Sequence, residues 1–121
     1  MAVVDREFSE RFAQEWIHAW NSHDLERILA HYSDDFELSS PRIIELMGER
    51  SGTLVGKLAI RPYWKMALAR TPELRFELQA VLTGVDGLVL YYKGSKGQWA
   101  AEVFEFDERG MVRKSAVHYA V

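Results

Sequence analysis

Strand-length apolar segments fill the C-terminal part of the chain, and this pattern constrains the fold more than any other feature. Residues 74–82, LRFELQAVL, alternate between apolar and polar side chains, as a β-strand with one buried face does. The residues predicted to point inward are Leu74, Phe76, Leu78, Ala80 and Leu82. The segments LVLYYK, QWAAEVFEF and MVRKSAVHYAV follow, separated by the turns GVDG, GSKG and DERG. Strands joined by such short turns predict an antiparallel run.

The N-terminal part of the chain has helical periodicity instead. Large aromatic residues recur every four positions and mark one helix face: Phe8, Phe12, Trp16 and Trp20. A second helix is predicted to continue to Tyr32, FELSS is predicted to be a short strand, and KLAIRPYWKMALAR is predicted to be a third helix. Pro62 fits that helix only near its first turn, and otherwise kinks it. Residues 42–56 are predicted to be a loop, with one helical turn as an alternative. Helices followed by strands predict an α+β fold.

Composition excludes several classes of function. A chain of 121 residues with net charge −3 and no Lys/Arg run is predicted to be one domain, 1–121, that binds no nucleic acid. The absence of cysteine excludes thiolate nucleophiles and Cys-ligated zinc. His31 has only Asp34 or Asp35 near it, too few ligands for a metal, and no Gly-rich nucleotide loop follows a strand, so no cofactor is expected. Without a signal peptide or a membrane-spanning segment, we expect a cytoplasmic protein with no membrane partner.

Both faces of the predicted sheet carry apolar side chains. In residues 98–106 one face has Ala100, Glu102, Phe104 and Phe106, and the other has Trp99, Ala101 and Val103. A lone domain with one wetted sheet face would carry polar residues on that face. We therefore expect a second copy of the chain to cover it, which predicts a homodimer.

Three stretches, AWNSHDLERILAHYSDDFEL, GTLVGKLAIRPYW and EVFEFDERGMV, resemble motifs of the nuclear transport factor 2-like superfamily, nearest to its SnoaL-like and ketosteroid isomerase-type branches. The resemblance covers essentially the whole chain. It implies a cone-shaped α+β fold in which a curved antiparallel or mixed sheet wraps around three helices and encloses an apolar pocket. This fold serves isomerases, cyclases, hydrolases, dehydratases and non-catalytic binders, so it does not define an activity.

The ketosteroid isomerase pattern matches this chain only in part. The tyrosine that donates to the oxyanion corresponds to Trp16, and the aspartate base corresponds to Ser40. The second acid of the oxyanion hole corresponds to Glu102. Serine cannot act as a carboxylate base, and an indole donates from a different place than a phenol. Steroid isomerisation by that mechanism is therefore not expected.

Glu102 is the first candidate catalytic residue, because it shares a strand face with Ala100, Phe104 and Phe106. A carboxyl group placed among apolar side chains is desolvated, which raises its pKa and makes it an acid or base usable near neutral pH. The alternative is that Glu102 hydrogen-bonds a neighbour and only stabilises the fold.

The register of the last hairpin decides between two further candidates, Tyr119 and His118. A four-residue connection would pair Glu102 with Ser115 and place Tyr119 on the inner face. A three-residue connection with a bulge at Gly110 would place His118 there instead. The resemblance favours Tyr119 inside and His118 on the dimer face.

The aromatic residues are predicted to form both core and pocket. The expected pocket residues are Trp16, Trp20, Tyr32, Leu38, Ser40, Trp64, Phe76, Tyr92 and Phe104, with Tyr119. Such walls suit a small hydrophobic, aromatic or polycyclic molecule. An enzyme built this way would isomerise, cyclise or dehydrate a carbonyl compound without a cofactor, and the alternative is a non-catalytic binding or accessory domain. An epoxide hydrolase is a weaker alternative, because no Asp–Arg–Asp set occupies inward positions.

Overall fold

A six-stranded mixed sheet packs against helices in the computed structural model, which describes residues 4–121. The elements are α1 (Arg6–Ser22), α2 (Leu25–Leu29), β1 (Tyr32–Ser39), α3 (Pro41–Met47), β2 (Thr53–Val55), α4 (Lys57–Arg70), β3 (Glu77–Thr83), β4 (Gly87–Lys93), β5 (Trp99–Phe106) and β6 (Val112–Tyr119). The strand order is β2-β1-β6-β5-β4-β3, with β1 and β6 parallel and all other pairs antiparallel. The α+β class with a curved mixed sheet is thereby confirmed.

Helix α1 begins where a side chain replaces a missing backbone partner. The Asp5 carboxylate accepts a hydrogen bond from the Phe8 amide at 2.8 Å, and the helix ends at His23, which adopts the left-handed conformation. The predicted apolar face is present, because Phe12, Trp16 and Trp20 are all buried. The inner face of the sheet packs against their rings.

The second helix is shorter than predicted. It ends at Leu29, and Tyr32 is the first residue of β1 rather than the last turn of a helix. The reason is tertiary: the Val112 amide donates to the His31 carbonyl at 2.9 Å, so β6 captures the backbone two residues after α2. Helical spacing in the local sequence carries no information about pairing with a distant strand, so it could not predict this early end.

The segment predicted to be a loop contains a short helix and a short strand. Ser40 caps α3 by accepting from the Arg42 amide at 3.2 Å, and Pro41 occupies the first helical position. Gly48 ends α3 at a positive φ of 69°. The alternative of one helical turn was therefore the better prediction, and α3 adds to the three helices expected from the resemblance.

Pro62 lies beyond the first turn of α4, as its sixth residue. The helix nevertheless continues to Arg70. Proline cannot donate to the carbonyl of Leu58, but Leu58 is 94% exposed, so water can reach that turn. The opposite side of the helix buries Ile60 and Trp64.

A β-bulge in β3 reverses the predicted alternation. The pairing with β4 skips one residue between Leu78 and Ala80. Val81 consequently packs against the core, whereas Leu82 is 54% exposed. The predicted inward placement of Ala80 and Leu82 was therefore wrong, because a bulge shifts every later side chain to the other face.

The hairpin of β5 and β6 has a bulge next to Phe106, and Glu102 pairs with Val117 rather than with Ser115. The predicted partner was thus wrong by two residues, a shift that leaves each side chain on its original face. Tyr119 accordingly lies on the inner side with Glu102, and His118 is exposed on the opposite face.

The opposite face of the sheet carries exposed apolar residues, here named the outer patch: Leu82, Tyr91, Trp99 and Val103. The rings of Tyr91 and Trp99 stack with centroids 5.2 Å apart and planes 17° from parallel. Among residues 4–121, the helices pack on the inner face of the sheet and leave the outer patch uncovered.

None of the described helices has the length and apolar character required to span a bilayer.

Candidate ligand-binding site

Two adjoining cavities lie between the helices and the inner face of the sheet. The inner chamber, of about 60 Å³, is bounded by Glu102, Val117 and Tyr119 and by six of the predicted pocket residues, Trp16, Trp20, Leu38, Trp64, Phe76 and Tyr92. The outer cavity, of about 150 Å³, shares four of these walls, Trp20, Phe76, Tyr92 and Tyr119. It extends past them to the surface, where Arg42 and Lys96 form part of its rim.

Glu102 forms part of the wall of the inner chamber and is 4% exposed. Tyr92 Oη donates to Glu102 Oε1 at 2.9 Å, and Ser115 Oγ donates to Glu102 Oε2 at 2.6 Å. The register explains this arrangement, because Leu90 on β4 and Val117 on β6 lie directly opposite Glu102. Tyr92 and Ser115 are each two residues further along, on the same face.

Burial raises the pKa of Glu102 to about 7, although the hydrogen bonds from Ser115 and Tyr92 act to lower it. No Lys or Arg of residues 4–121 forms an ion pair with this carboxyl group. Burial and the nearby Glu102 charge also raise the pKa of Tyr92 well above its ordinary value, so Tyr92 stays a donor. At neutral pH the carboxyl group is therefore divided between its protonated and ionised forms.

Trp16 does not present its indole N–H to the chamber. Trp16 Nε1 donates to Tyr32 Oη at 2.9 Å, and both side chains are buried. Tyr32 packs against Phe36 and Trp64, with ring centroids 4.4 and 5.0 Å away, and borders neither cavity. Tyr32, predicted to line the pocket, therefore contacts no cavity directly and instead holds Trp16 in place.

Trp20 supplies a free donor in place of Trp16. Its Nε1 atom is buried and has no hydrogen-bond partner among the described residues. A buried N–H without an acceptor costs free energy, and Trp20 borders both cavities. The sequence placed Trp20 in the pocket, but its orphaned donor depends on packing and could be found only in the structure.

Two predicted pocket residues have other roles. Ser40 caps α3 by accepting from the Arg42 amide, and it borders neither cavity. Phe104 is fully buried and packs edge-on against Phe12 and Trp16, with centroids 5.1 and 5.5 Å apart. Neither residue therefore lies at a cavity surface.

Tyr119 borders the inner chamber and also contacts Arg42 at the surface. Burial raises the pKa of Tyr119, while Arg42 and Ser40 act to lower it. The Arg42 guanidinium carbon lies 5.2 Å from the centroid of the Tyr119 ring, and Arg42 Nη2 donates to Gln98 Oε1 at 2.9 Å. Sequence reasoning missed Arg42 and Gln98, because they meet only through the turn that α3 makes after β1.

His118 does not take part in this site. It pairs with Ala101 and is exposed on the face opposite Glu102. The prediction of a catalytic His118 therefore has no support from the geometry. In the part of the chain that the structure describes, no three His, Asp or Glu side chains gather as a metal site.

The curved mixed sheet packed against helices is the fold of nuclear transport factor 2-like proteins. More narrowly, the chain belongs to the SnoaL-like domain family, since a model of that domain matches residues 13–114. A search of functionally curated proteins found no match.

Solved structures agree with this assignment. A SnoaL-like protein of unknown function from Burkholderia thailandensis is 47% identical, with a TM-score of 0.95 over 99% of this chain and 100% of that one. A protein of unknown function with a cystatin-like fold from Methylobium petroleophilum is 19% identical, with a TM-score of 0.77 over 99% and 80%. A ketosteroid isomerase-like protein from Kribbella flavida is 13% identical, with a TM-score of 0.74 over 98% and 82%. The latter two similarities concern the fold alone.

Proposed function

We propose that the chain binds a small aromatic carbonyl compound in the two cavities and that Glu102 exchanges a proton with it, without a cofactor. The reaction class would be an isomerisation, cyclisation or dehydration. The observation that carries this proposal is the buried Glu102 carboxyl group, held by two hydroxyl donors on a chamber wall without an ion-pair partner among residues 4–121. Such a group is poised to gain or lose a proton near neutral pH.

The donors around the cavities suit this chemistry. Removing a proton next to a carbonyl group places negative charge on its oxygen, and a hydrogen-bond donor stabilises that charge. The unpartnered Trp20 N–H is one available donor, and the Tyr119 hydroxyl is a second near the same wall. The ketosteroid isomerase arrangement itself is not available, because the Trp16 N–H is bonded to Tyr32 and Ser40 has no carboxylate.

The cavity volumes favour a ligand with one ring. A cavity of 150 Å³ lined by apolar side chains accommodates a molecule the size of benzene. The outer cavity has about that volume, and the inner chamber adds about 60 Å³. A polycyclic ligand, which the aromatic composition also allowed, would require the walls to move.

Hydrogen–deuterium exchange next to a carbonyl group tests the proposal without knowledge of the natural substrate. Acetophenone and phenylacetone would be incubated with the protein in D₂O, and loss of the α-proton signal would be followed by NMR. We expect exchange above the buffer rate that Glu102→Gln reduces at least about 100-fold, the usual scale of general acid–base catalysis. The exposed Glu108→Gln is the matched control. Equal rates in Glu102→Gln and the unaltered chain would refute the catalytic role.

The alternative is a binding or accessory domain without catalysis. It is favoured by the small volume beside Glu102, because a ligand confined to the outer cavity would not reach the carboxyl group. In that case ligand binding would persist with no α-proton exchange. Glu102→Gln would then alter only the melting temperature.

We further propose that a second copy of the chain covers the outer patch. Tyr91, Trp99 and Val103 are each 37–39% exposed, which is a high exposure for adjacent apolar side chains on a sheet. At the edge of this face Glu105 lies 3.5 Å from Arg113, so opposite charges already neutralise each other. An apolar surface whose edge carries no net charge is complementary to a second copy of itself rather than to a charged partner.

Sedimentation equilibrium tests this assembly. We expect a species of twice the 14.0 kDa chain mass at micromolar concentration. Val103→Lys should give the monomer, because it would bury a charge at the interface. A monomer for the unaltered chain would refute the proposed dimer and leave the pocket unaffected.

A further inference from the structure

We propose that the ligand is an anion, a small aryl carboxylate, whose carboxylate group binds Arg42 at the rim of the outer cavity while its ring lies between Trp20, Phe76 and Tyr92. This inference rests on the proposed ligand-binding function and specifies the chemical class of the ligand.

The charge distribution around the outer cavity is one-sided. Among its lining residues Arg42 and Lys96 are cationic, and none is acidic. The chain as a whole has a net charge of −3, so the rim is positive against a negative background. Clefts with charge of a single sign raise the local concentration of oppositely charged ligands.

Arg42 is held in position without being neutralised. Five other arginines form ion pairs with glutamates: Arg6, Arg11, Arg27, Arg61 and Arg113. Arg42 is instead held by the neutral amide of Gln98 and by the face of the Tyr119 ring. Its charge and its remaining N–H donors stay available, and a guanidinium group matches a carboxylate through two parallel hydrogen bonds.

The local backbone explains why Arg42 stands at the rim. Ser40 caps α3 through the Arg42 amide, so Arg42 lies in the first turn after the end of β1. The connection from β4 to β5 brings Lys96 to the same cavity, with a positive φ of 65° that is uncommon for a residue other than glycine. Two separate connections of the chain thus each supply one cation to the same cavity.

The position of Glu102 decides which end of the ligand faces outward. A carboxylate directed into the inner chamber would approach the Glu102 carboxyl group in a region without a cation among its lining residues. Two carboxylates in a buried site repel each other. With the carboxylate at Arg42, Tyr119 separates the two groups, because it borders both cavities.

Calorimetric titration with a matched pair of probes tests this inference. Phenylacetate and phenylacetamide have the same ring and nearly the same shape, but only the first is charged. At pH 6 we expect phenylacetate to bind at least about tenfold more tightly, as a charge-assisted bond to a guanidinium group implies. Arg42→Gln should bring the two affinities within about twofold by weakening phenylacetate alone.

Arg50→Gln is the matched control, because Arg50 is exposed and borders neither cavity. It should retain the preference for phenylacetate. Phenylacetamide binding to Arg42→Gln shows that the pocket is intact, so a folding defect is distinguished from lost recognition.

The failures of the two proposals differ in this experiment. Equal affinities in the unaltered chain would overturn the anionic ligand and leave the pocket standing. A preference that survives in Arg42→Gln would overturn the role of Arg42. If neither probe binds the unaltered chain, the single-ring ligand of the proposed function is refuted together with this inference.

Discussion

The two faces of strand β5 carry similar numbers of apolar side chains but have opposite surroundings. On the inner face Glu102 and Phe104 are 4% and 0% exposed, and on the outer face Trp99 and Val103 are 37% and 39% exposed. The strand sequence has apolar residues on both faces, so it does not distinguish a face covered by helices from a face left open. That difference comes from the N-terminal helices, which cover one face only.

The two glutamates of β5 differ for the same reason. Glu102 and Glu105 lie on the same strand but on opposite faces. Glu105 is half exposed and pairs with Arg113 at the surface, whereas Glu102 has only hydroxyl donors in a desolvated chamber. Burial without a cation is what changes the chemistry of a carboxyl group, rather than its place in the sequence.

The largest expected effect is a difference in stability between alanine variants of two tryptophans, one packed against the inner face of the sheet and one on its outer face. Trp16→Ala should lower the free energy of unfolding by about 3–5 kcal/mol, because Trp16 is 1% exposed and its loss leaves a cavity. Trp99→Ala should cost less than about 1 kcal/mol in a monomeric sample, since its side chain is already partly solvated. Urea denaturation measures both. Equal losses would contradict the contrast between the two faces.

A second prediction concerns pH. The pKa of Glu102 is about 7 in the folded chain and 4.5 as its ordinary value, so the folded state binds more protons than the unfolded state between these pH values. The contribution of Glu102 to the free energy of unfolding is therefore fully present below pH 4.5, and this contribution is lost as the pH rises through 7. The loss is roughly 3 kcal/mol by linkage.

Glu102→Gln removes this titration. The difference in unfolding free energy between Glu102→Gln and the unaltered chain should shift in favour of the variant by that amount between pH 4.5 and pH 8. Glu108→Gln gives the background from an exposed carboxyl group. A difference that does not change with pH would show that the Glu102 carboxyl group is solvated.

The smallest effect concerns the donors to Glu102. Ser115→Ala removes the 2.6 Å hydrogen bond that stabilises the ionised carboxyl group, so the pKa of Glu102 should rise further. The expected loss of stability is about 1 kcal/mol. Ser33→Ala is a control, because that hydroxyl bonds only a backbone carbonyl. An unchanged pKa of Glu102 in Ser115→Ala would contradict the hydrogen-bond assignment.

Much of the fold could be predicted from the sequence, since periodicity reports local structure. The aromatic face of α1, the four C-terminal strands and the inward position of Glu102 all follow from spacing. The resemblance to SnoaL-like proteins supplied the arrangement of these elements. It also favoured Tyr119 over His118 on the inner side, which the observed register bears out.

The remaining features depend on contacts distant in the sequence. The bulge after Leu78, the early end of α2 and the short helix α3 each arise where strand pairing or a cap competes with local preference. The roles of Arg42 and Trp20 also required the structure. A free guanidinium group and an orphaned N–H are defined by the partners they lack, and spacing cannot show that.

The inner face of the sheet holds one acid, Glu102, in a desolvated chamber. An NMR titration of the Glu102 side-chain carboxyl carbon in protein labelled at glutamate tests this burial, with Glu102→Gln used to assign the signal. We expect a midpoint near pH 7. A midpoint near the ordinary value of 4.5 would show that the Glu102 carboxyl group is solvated.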